Sequence, residues 1–229
     1  MELPDLSRVF LALTSLLTTY LTLCCLTPPN PPPISRTKDR VVPFGSGSLL
    51  LCRRLAFGLL GLCHAILILN PTSPPSKLCP NPSNLNPSLF SWSTHAVVCL
   101  GLLLIAAPVR LLAFRQLGQD FTFVLAKPRG LVTSGLYRYA QHPSYTASVV
   151  VIVANGFMFE RPDGAAGCWM SRAVAQSAWW NDVRAVVVVV GACMIMMRVA
   201  DEERMLKDAL GREWEEWHGK TKRFVPGLF

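Results

Sequence analysis

At 229 residues the chain is long enough for one or two soluble domains, but 51% of it is hydrophobic, only 16% is charged, and the apolar residues gather in long blocks. That distribution excludes an ordinary soluble protein and indicates an integral membrane protein. A formal net charge of +8 does not argue for nucleic acid, because the basic residues flank the apolar blocks and form no patch interleaved with aromatics.

The first apolar block runs from Leu6 to Leu26, enough to cross a hydrocarbon core of ~30 Å. Its head carries Glu2, Asp5 and Arg8 in place of a basic leader, and no small-residue cleavage site follows, so a retained anchor is expected. Proline cannot continue the helical hydrogen-bond ladder, and the stretch from Thr27 to Pro33 ends this helix. Arg36, Lys38 and Arg40 come next. A second span covers Leu49 to Leu69, with Arg53 and Arg54 placed to snorkel from its first turns. The connection from Asn70 to Trp92, dense in Pro, Ser and Asn, reads as an extended loop. Its Asn-Pro-Thr and Asn-Pro-Ser triplets are not glycosylation acceptors, since proline holds the middle position.

Trp92 marks a membrane interface, and a third span covers Ala96 to Phe114. Arg110, Arg115, Lys127, Arg129 and Arg138 cluster after it. The fourth and fifth blocks, Tyr145 to Phe159 and Ala185 to Met197, are short for independent spans and fit a helical hairpin packed inside a bundle, although flanking residues such as Trp179, Trp180 and Val183 lengthen the fifth. Between them lies Glu160 to Asp182, with three acidic and two basic residues, and the tail beyond Met197 is rich in Lys and Arg, seven of them beside seven acidic residues. Lys and Arg alternate poor and rich from one connection to the next. The positive-inside rule then predicts five crossings, with the N-terminus outside or lumenal and the C-terminus in the cytosol.

Of the eight cysteines, Cys24, Cys25, Cys52, Cys63, Cys99 and Cys193 lie in or beside apolar spans and read as small packing residues. Cys79 and Cys168 fall in the two lumenal connections, where they are able to pair. Cys24 and Cys25, near the cytosolic end of span one, are candidates for acylation.

The chemistry concentrates in Leu131-Val132-Thr133-Ser134-Gly135-Leu136-Tyr137-Arg138-Tyr139-Ala140-Gln141-His142-Pro143-Ser144-Tyr145, a polar and aromatic run set directly before an apolar span. A polar strip at a membrane mouth must stay in water or bind something. Val132-Thr133-Ser134-Gly135, Tyr137 and His142-Pro143-Ser144-Tyr145 resemble the cofactor-binding signature of the isoprenylcysteine carboxyl methyltransferase family. A second motif follows in order: Arg198, Glu202, Glu203 and Leu206, then Leu210-Gly211 with Glu213 and Trp214, then Val225-Pro226-Gly227, resembling that family's closing elements. The likeness covers the half of the chain from Phe114 onward.

This resemblance implies an all-α integral membrane protein of about five transmembrane helices with a cytosolic C-terminal cofactor-binding region. Residues 1–115 would hold the first three helices and their Pro-rich connections, and residues 116–229 the methyltransferase region with helices four and five and an amphipathic tail. It further implies S-adenosylmethionine as donor, the C-terminal carboxylate of a prenylated cysteine in a membrane-associated protein as acceptor, an endoplasmic-reticulum membrane, and neither metal nor nucleic acid. By the same likeness Arg198 matches the substrate-contacting arginine and Glu202 the cofactor-contacting glutamate, the catalytic pair. Arg129, Gly130, Leu131, Val132, Tyr137, His142, Pro143, Ser144 and Tyr145 match the remaining cofactor contacts. Gln141 departs from the pattern, standing where an arginine commonly precedes the His-Pro.

The residues carry their own argument beside the likeness. Arg198 and Glu202, four apart, point to one face of a helix leaving the fifth span. A plain salt bridge in that order is worth only ~0.2–0.5 kcal/mol, whereas the planar fork of an arginine suits a carboxylate acceptor. An ionised carboxylate needs no general base, only alignment and shielding from water; an amine acceptor would first have to lose a proton. Gly130 and Gly135 permit close backbone approach, Tyr137 and Tyr145 offer aromatic faces or hydroxyls, and Pro143 opens the fourth helix.

The competing expectations are blander. His142 is a helix-entry residue with a satisfied ring, the tyrosines anchor an interface, and Glu203, Glu213, Glu215 and Glu216 form a solvated acidic face. Trp214, Trp217, Leu206 and Leu210 form a buried stripe that docks the tail, with Gly211 between two helices. At the level of function, a phospholipid N-methyltransferase, a sterol-reductase-like enzyme and a non-catalytic membrane scaffold stay open as alternatives.

Overall fold

The computed structural model describes residues 5–31, 40, 47–225 and 227, residue 181 by its backbone only. Expectations resting on Glu2, Pro33, Arg36, Lys38 and Pro226 lie outside these residues. Helix α1, Leu6–Cys25, starts where the Asp5 carboxylate accepts the Ser7 amide. Helix α2 spans Gly47–Leu69, and α3 spans Thr94–Leu117 with the Ser93 hydroxyl accepting the Ala96 amide. Helix α4 is Pro143–Met158, α5 the single turn Arg172–Ala175, α6 the 32-residue helix Trp179–Leu210, and α7 Arg212–Lys220. Gly211, at φ 54°, breaks the last two apart as the sequence suggests.

The chain is an all-α membrane protein: α1, α2, α3 and α6 are each long and apolar enough to span a bilayer. At 16 residues α4 is only about 24 Å long and packs along α3. Here the expected packed short helix is found; for the fifth block the lengthening by Trp179, Trp180 and Val183 is what the fold shows, not a short packed hairpin arm. That block is the middle of α6, which leans on α4 and α7, and Val186 to Val190 are 50–61% exposed. Hydropathy cannot separate a lipid-facing run from a core-facing one, because both are apolar.

In α1 the usual amphipathic sense is inverted. Leu6, Phe10, Leu13, Leu17 and Tyr20 face outward while Ser15, Thr18, Thr19 and Thr22 are buried at helical spacing. Lipid solvates the large residues, and small hydroxyl residues let backbones approach. The closeness is measurable at Gly61 of α2, where an added Cβ would stand 2.2 Å from the Thr19 Oγ1. Thr18 and Thr19 return their hydroxyls to the Ser15 carbonyl, so neither donor is stranded. Asn155 of α4 joins the set by donating to Thr22 Oγ1 at 3.1 Å and to the Val151 carbonyl at 2.8 Å.

The connection from Asn70 to Trp92 is no extended loop but half of a cap. Each of its 3-10 turns, Pro82–Asn84 and Pro87–Phe90, opens on an Asn-Pro pair. Cys79 is disulfide-bonded to Cys168 in the α4–α6 connection. Asn84 donates to the Gly167 and Met170 carbonyls at 3.0 and 2.9 Å, and Asn86 donates through its backbone to Asp163 at 2.8 Å. Gly167 is required there, since a Cβ would lie 2.0 Å from the Pro162 carbonyl oxygen. Among the other cysteines Cys25, Cys63 and Cys99 are buried packing residues as expected; Cys52 and Cys193 are exposed. The Trp92 indole donates to the Ser7 carbonyl, fixing the cap to the start of α1. The motif residues lie at the opposite end of the bundle.

Candidate active site

Three segments converge at the end away from the cap. The first is the approach to α4. At Gly135, φ is +61° and a Cβ would meet the Gln116 side chain of α3 at 2.4 Å, so only glycine lets the chain turn against that helix. Gln116 Oε1 accepts the Leu136 amide at 2.9 Å, and the following 3-10 turn buries Tyr137 with its hydroxyl 3.5 Å from the Ala113 carbonyl. Burial, and after it the nearby Glu202 carboxylate, pushes the Tyr137 phenol well up, keeping it a neutral hydroxyl. Pro143 then takes the first position of α4, where a missing N–H costs nothing.

The second segment is the far half of α6. Arg198 Nε donates to the Tyr145 hydroxyl at 3.2 Å, and that hydroxyl donates to Glu202 Oε2 at 2.8 Å. Arg198 and Glu202 therefore meet through a tyrosine of another helix, an arrangement their spacing alone did not disclose. His142, 3% exposed, lies between two successive carboxylates, its Nε2 3.3 Å from Glu203 Oε1 and its Nδ1 4.0 Å from Glu202 Oε1. The ring is satisfied, as the blander reading of His142 held, and it is also within the cluster. Asp201 is held by Arg40, whose Nη2 is 2.7 Å from Oδ1.

A strap from the end of the chain forms the third segment. Ala140 pairs with Lys222 in an isolated parallel bridge, and the Gln141 and His142 amides donate to the Lys222 and Arg223 carbonyls at 2.8 Å each. Gln141 uses its side-chain amide as well, donating to the His218 and Thr221 carbonyls and accepting from His218 Nδ1 at 2.8 Å. The residue that departs from the family pattern thus docks the strap. Thr146 Oγ1 donates to the Phe224 carbonyl at 3.0 Å, and Trp214, buried, stacks on His218 with centroids 4.3 Å apart.

The expected residues divide accordingly. His142, Pro143, Ser144, Tyr145, Arg198 and Glu202 come together, with Tyr137 close enough for Glu202 to act on it electrically. Arg129 and Gly130, exposed, and Leu131 and Val132, half-buried, precede the cluster on a loop where Arg129 bonds instead to Gln119 and, through its amide, to Asp120. Glu203 corrects an expectation: its side chain is 12% exposed and binds His142 and Arg223 Nη2, the latter at 2.8 Å, whereas Glu215 and Glu216 are solvated with Lys207 and Arg212. Sequence reasoning missed Glu203 as part of this cluster, and it missed the bonds from Arg110 to Ser144. The signal for Arg110 was its place inside an apolar helix, where a charge is costly without a purpose.

Residues 99–178 match the model of the isoprenylcysteine carboxyl methyltransferase (ICMT) family. The chain is also 24% identical over 141 residues to the protein-S-isoprenylcysteine O-methyltransferase of Schizosaccharomyces pombe, covering 60% of this chain and 52% of that protein. The match spans about half the length of that relative. The family match contains the motif from Arg129 to Tyr145 and stops short of α6, so the fold is what brings Arg198 and Glu202 to it. The family that the two sequence motifs resemble, and that both comparisons return, is that of the isoprenylcysteine carboxyl methyltransferases.

Proposed function

We propose that the chain transfers a methyl group from S-adenosylmethionine to the C-terminal carboxylate of a prenylated cysteine, with residues 116–229 carrying most of the site. The observation that carries this reading is the Tyr145 hydroxyl shared by Arg198 and Glu202, which sets a guanidinium and a carboxylate side by side at the mouth of a membrane bundle. When bound, S-adenosylmethionine supplies an electrophilic methyl on a sulfonium sulfur.

The residues present fit that group. Glu202 is 26% exposed and commits Oε2 to Tyr145, leaving Oε1 as an acceptor for an ammonium or a ribose hydroxyl. Open space lies beside Gly130, and Tyr137 stays a neutral hydroxyl. Arg198 holds the acceptor carboxylate in its fork, ionised from the outset, so no residue has to accept a proton from it. Tyr145 keeps Arg198 and Glu202 at a fixed separation, and the strap excludes water from the His142 side. A prenyl chain belongs in the bilayer, which places its cysteine carboxylate at the helix ends.

Orientation follows two independent supports. Lys and Arg are rich at the site end, as expected of a cytosolic face, and the disulfide of the cap suits an oxidising lumen such as that of the endoplasmic reticulum. The test is transfer of labelled methyl to a farnesylated cysteine analogue in membranes holding this chain, with Arg198→Ala and Glu202→Ala beside it. Base-labile label that vanishes in both variants is the expected result. Label in phospholipid amine instead would overturn the carboxylate reading.

A further inference from the structure

Arg110 of α3 is half-buried where α1, α3 and α4 meet. Its Nε donates to the Cys25 carbonyl at 3.4 Å, its Nη1 donates to both the carbonyl and the hydroxyl of Ser144 at 3.0 Å, and the guanidinium lies 4.8 Å over the Phe114 ring. All three acceptors are uncharged. Withdrawing a guanidinium from water to bond neutral oxygens is an expensive way of tying helices, since the charge finds no counterion in the contact.

At its other end α4 has a cheaper tie to α1, one turn back from Cys25. Asn155 Nδ2 reaches Thr22 Oγ1 with a neutral amide and joins the same two helices. Packing alone therefore does not call for a cation. What separates the two ends is the neighbour of Ser144: Tyr145, whose hydroxyl carries the bridge between Arg198 and Glu202. Arg110 is also close enough to interact electrically with Tyr145 and Tyr137.

We propose that Arg110 is a positioning residue of the site: it fixes the first turn of α4 through Ser144, and so the Tyr145 hydroxyl, against Arg198 and Glu202. The role rests on the methyltransferase reading above, and it adds α1 to the elements that build the site. Two bonds to one residue hold the turn in rotation as well as in distance. The hydroxyl proton stays on Tyr145 and is donated to Glu202, so fixing the turn fixes the direction of that bond.

The test compares Arg110→Gln, Arg110→Lys and Asn155→Val with the wild type in detergent or nanodiscs. Three readouts are taken: the unfolding midpoint, kcat and KM for labelled methyl transfer, and the ¹⁹F resonance of a fluorotyrosine placed at position 145. Arg110→Gln is expected to lower kcat about 100-fold, the usual cost of a misplaced reacting geometry, with KM changed less, and to shift the ¹⁹F resonance. Arg110→Lys, which keeps the charge but not the fork, is expected to fall between. Asn155→Val is expected to lower the midpoint and leave both kcat and the resonance unchanged. Should both Arg110 variants lower only the midpoint, or leave the resonance where it was, the proposal is overturned. Wild-type protein that transfers no methyl would instead overturn the underlying reading, whatever the resonance does.

Discussion

The two ends of the bundle solve the same problem, polar groups at the edge of a membrane, in opposite ways. At the cap, asparagine side chains are spent on backbone carbonyls, a disulfide closes the two connections, and the principal ion pair is the local Arg161–Asp163 at 2.6 Å. At the site, Arg198, Glu202, Glu203, His142 and Arg223 come from three segments far apart in sequence and meet through shared atoms. The cap ends its polar groups in closed local bonds, so it holds the connections without presenting charge. The site keeps charges adjacent to an accessible carboxylate, an arrangement worth its desolvation cost only where something is to be bound.

If that division is real, substitutions at the two ends must separate rate from stability. The largest effects belong to Arg198→Ala and Glu202→Gln. Each should lower kcat/KM by about 100- to 1,000-fold, the scale for removing a preorganised electrostatic partner, while the unfolding midpoint moves little. Tyr145→Phe comes next: it leaves the ring and removes the shared hydroxyl, costing about 1.5–3 kcal/mol for a bond to a charged group, roughly 10- to 100-fold in rate. A Tyr145→Phe protein with the wild-type rate would show that Arg198 and Glu202 hold their places without the bridge.

Cys168→Ser probes the other end and should show the reverse pattern. Losing the bond to Cys79 is expected to cost about 2–4 kcal/mol of stability, read as a lower thermal midpoint, with kcat per folded molecule unchanged. A fall in kcat comparable to that of Tyr145→Phe would mean that the cap and the site are coupled through α4, and the comparison would fail.

The same contrast explains what was legible in the sequence. Spans α1, α2 and α3 stood out because hydropathy is a local property, and both motifs stood out because their residues are contiguous or at helical spacing. The fate of the fifth block was illegible, as lipid and protein interior are equally apolar to Val186–Val190. The cap was hidden for another reason: its Asn-Pro pairs read as turn chemistry, and only the fold shows that Asn84 and Asn86 reach across to residues 163–170. Glu203 read as one more charge on a wet face because its partners, His142 and Arg223, lie 61 positions before and 20 after it. Arg110 was counted among the flanking charges that orient a membrane protein, a role that masked its bonds to Ser144.

The smallest expected effect concerns the strap and its response to mild acid. His218 packs on Trp214 and gives its Nδ1 proton to Gln141. Burial lowers its affinity for a second proton; Glu203 favours that proton, and Arg223, His142 and Lys207 oppose it. The folded state thus binds the proton less readily than the unfolded strap, whose histidine titrates near pH ~6.5. Docking is therefore complete above that pH and weakens as pH falls through and below it. Hydrogen exchange reads this directly, because the Gln141 and His142 amides donate to strap carbonyls and lose protection when the strap lifts. Protection factors at these two amides should decline between pH 7.5 and 5.5 in the wild type and stay level in His218→Gln. An equal decline in both would show that the acid response does not come from His218 and would overturn this account of the strap.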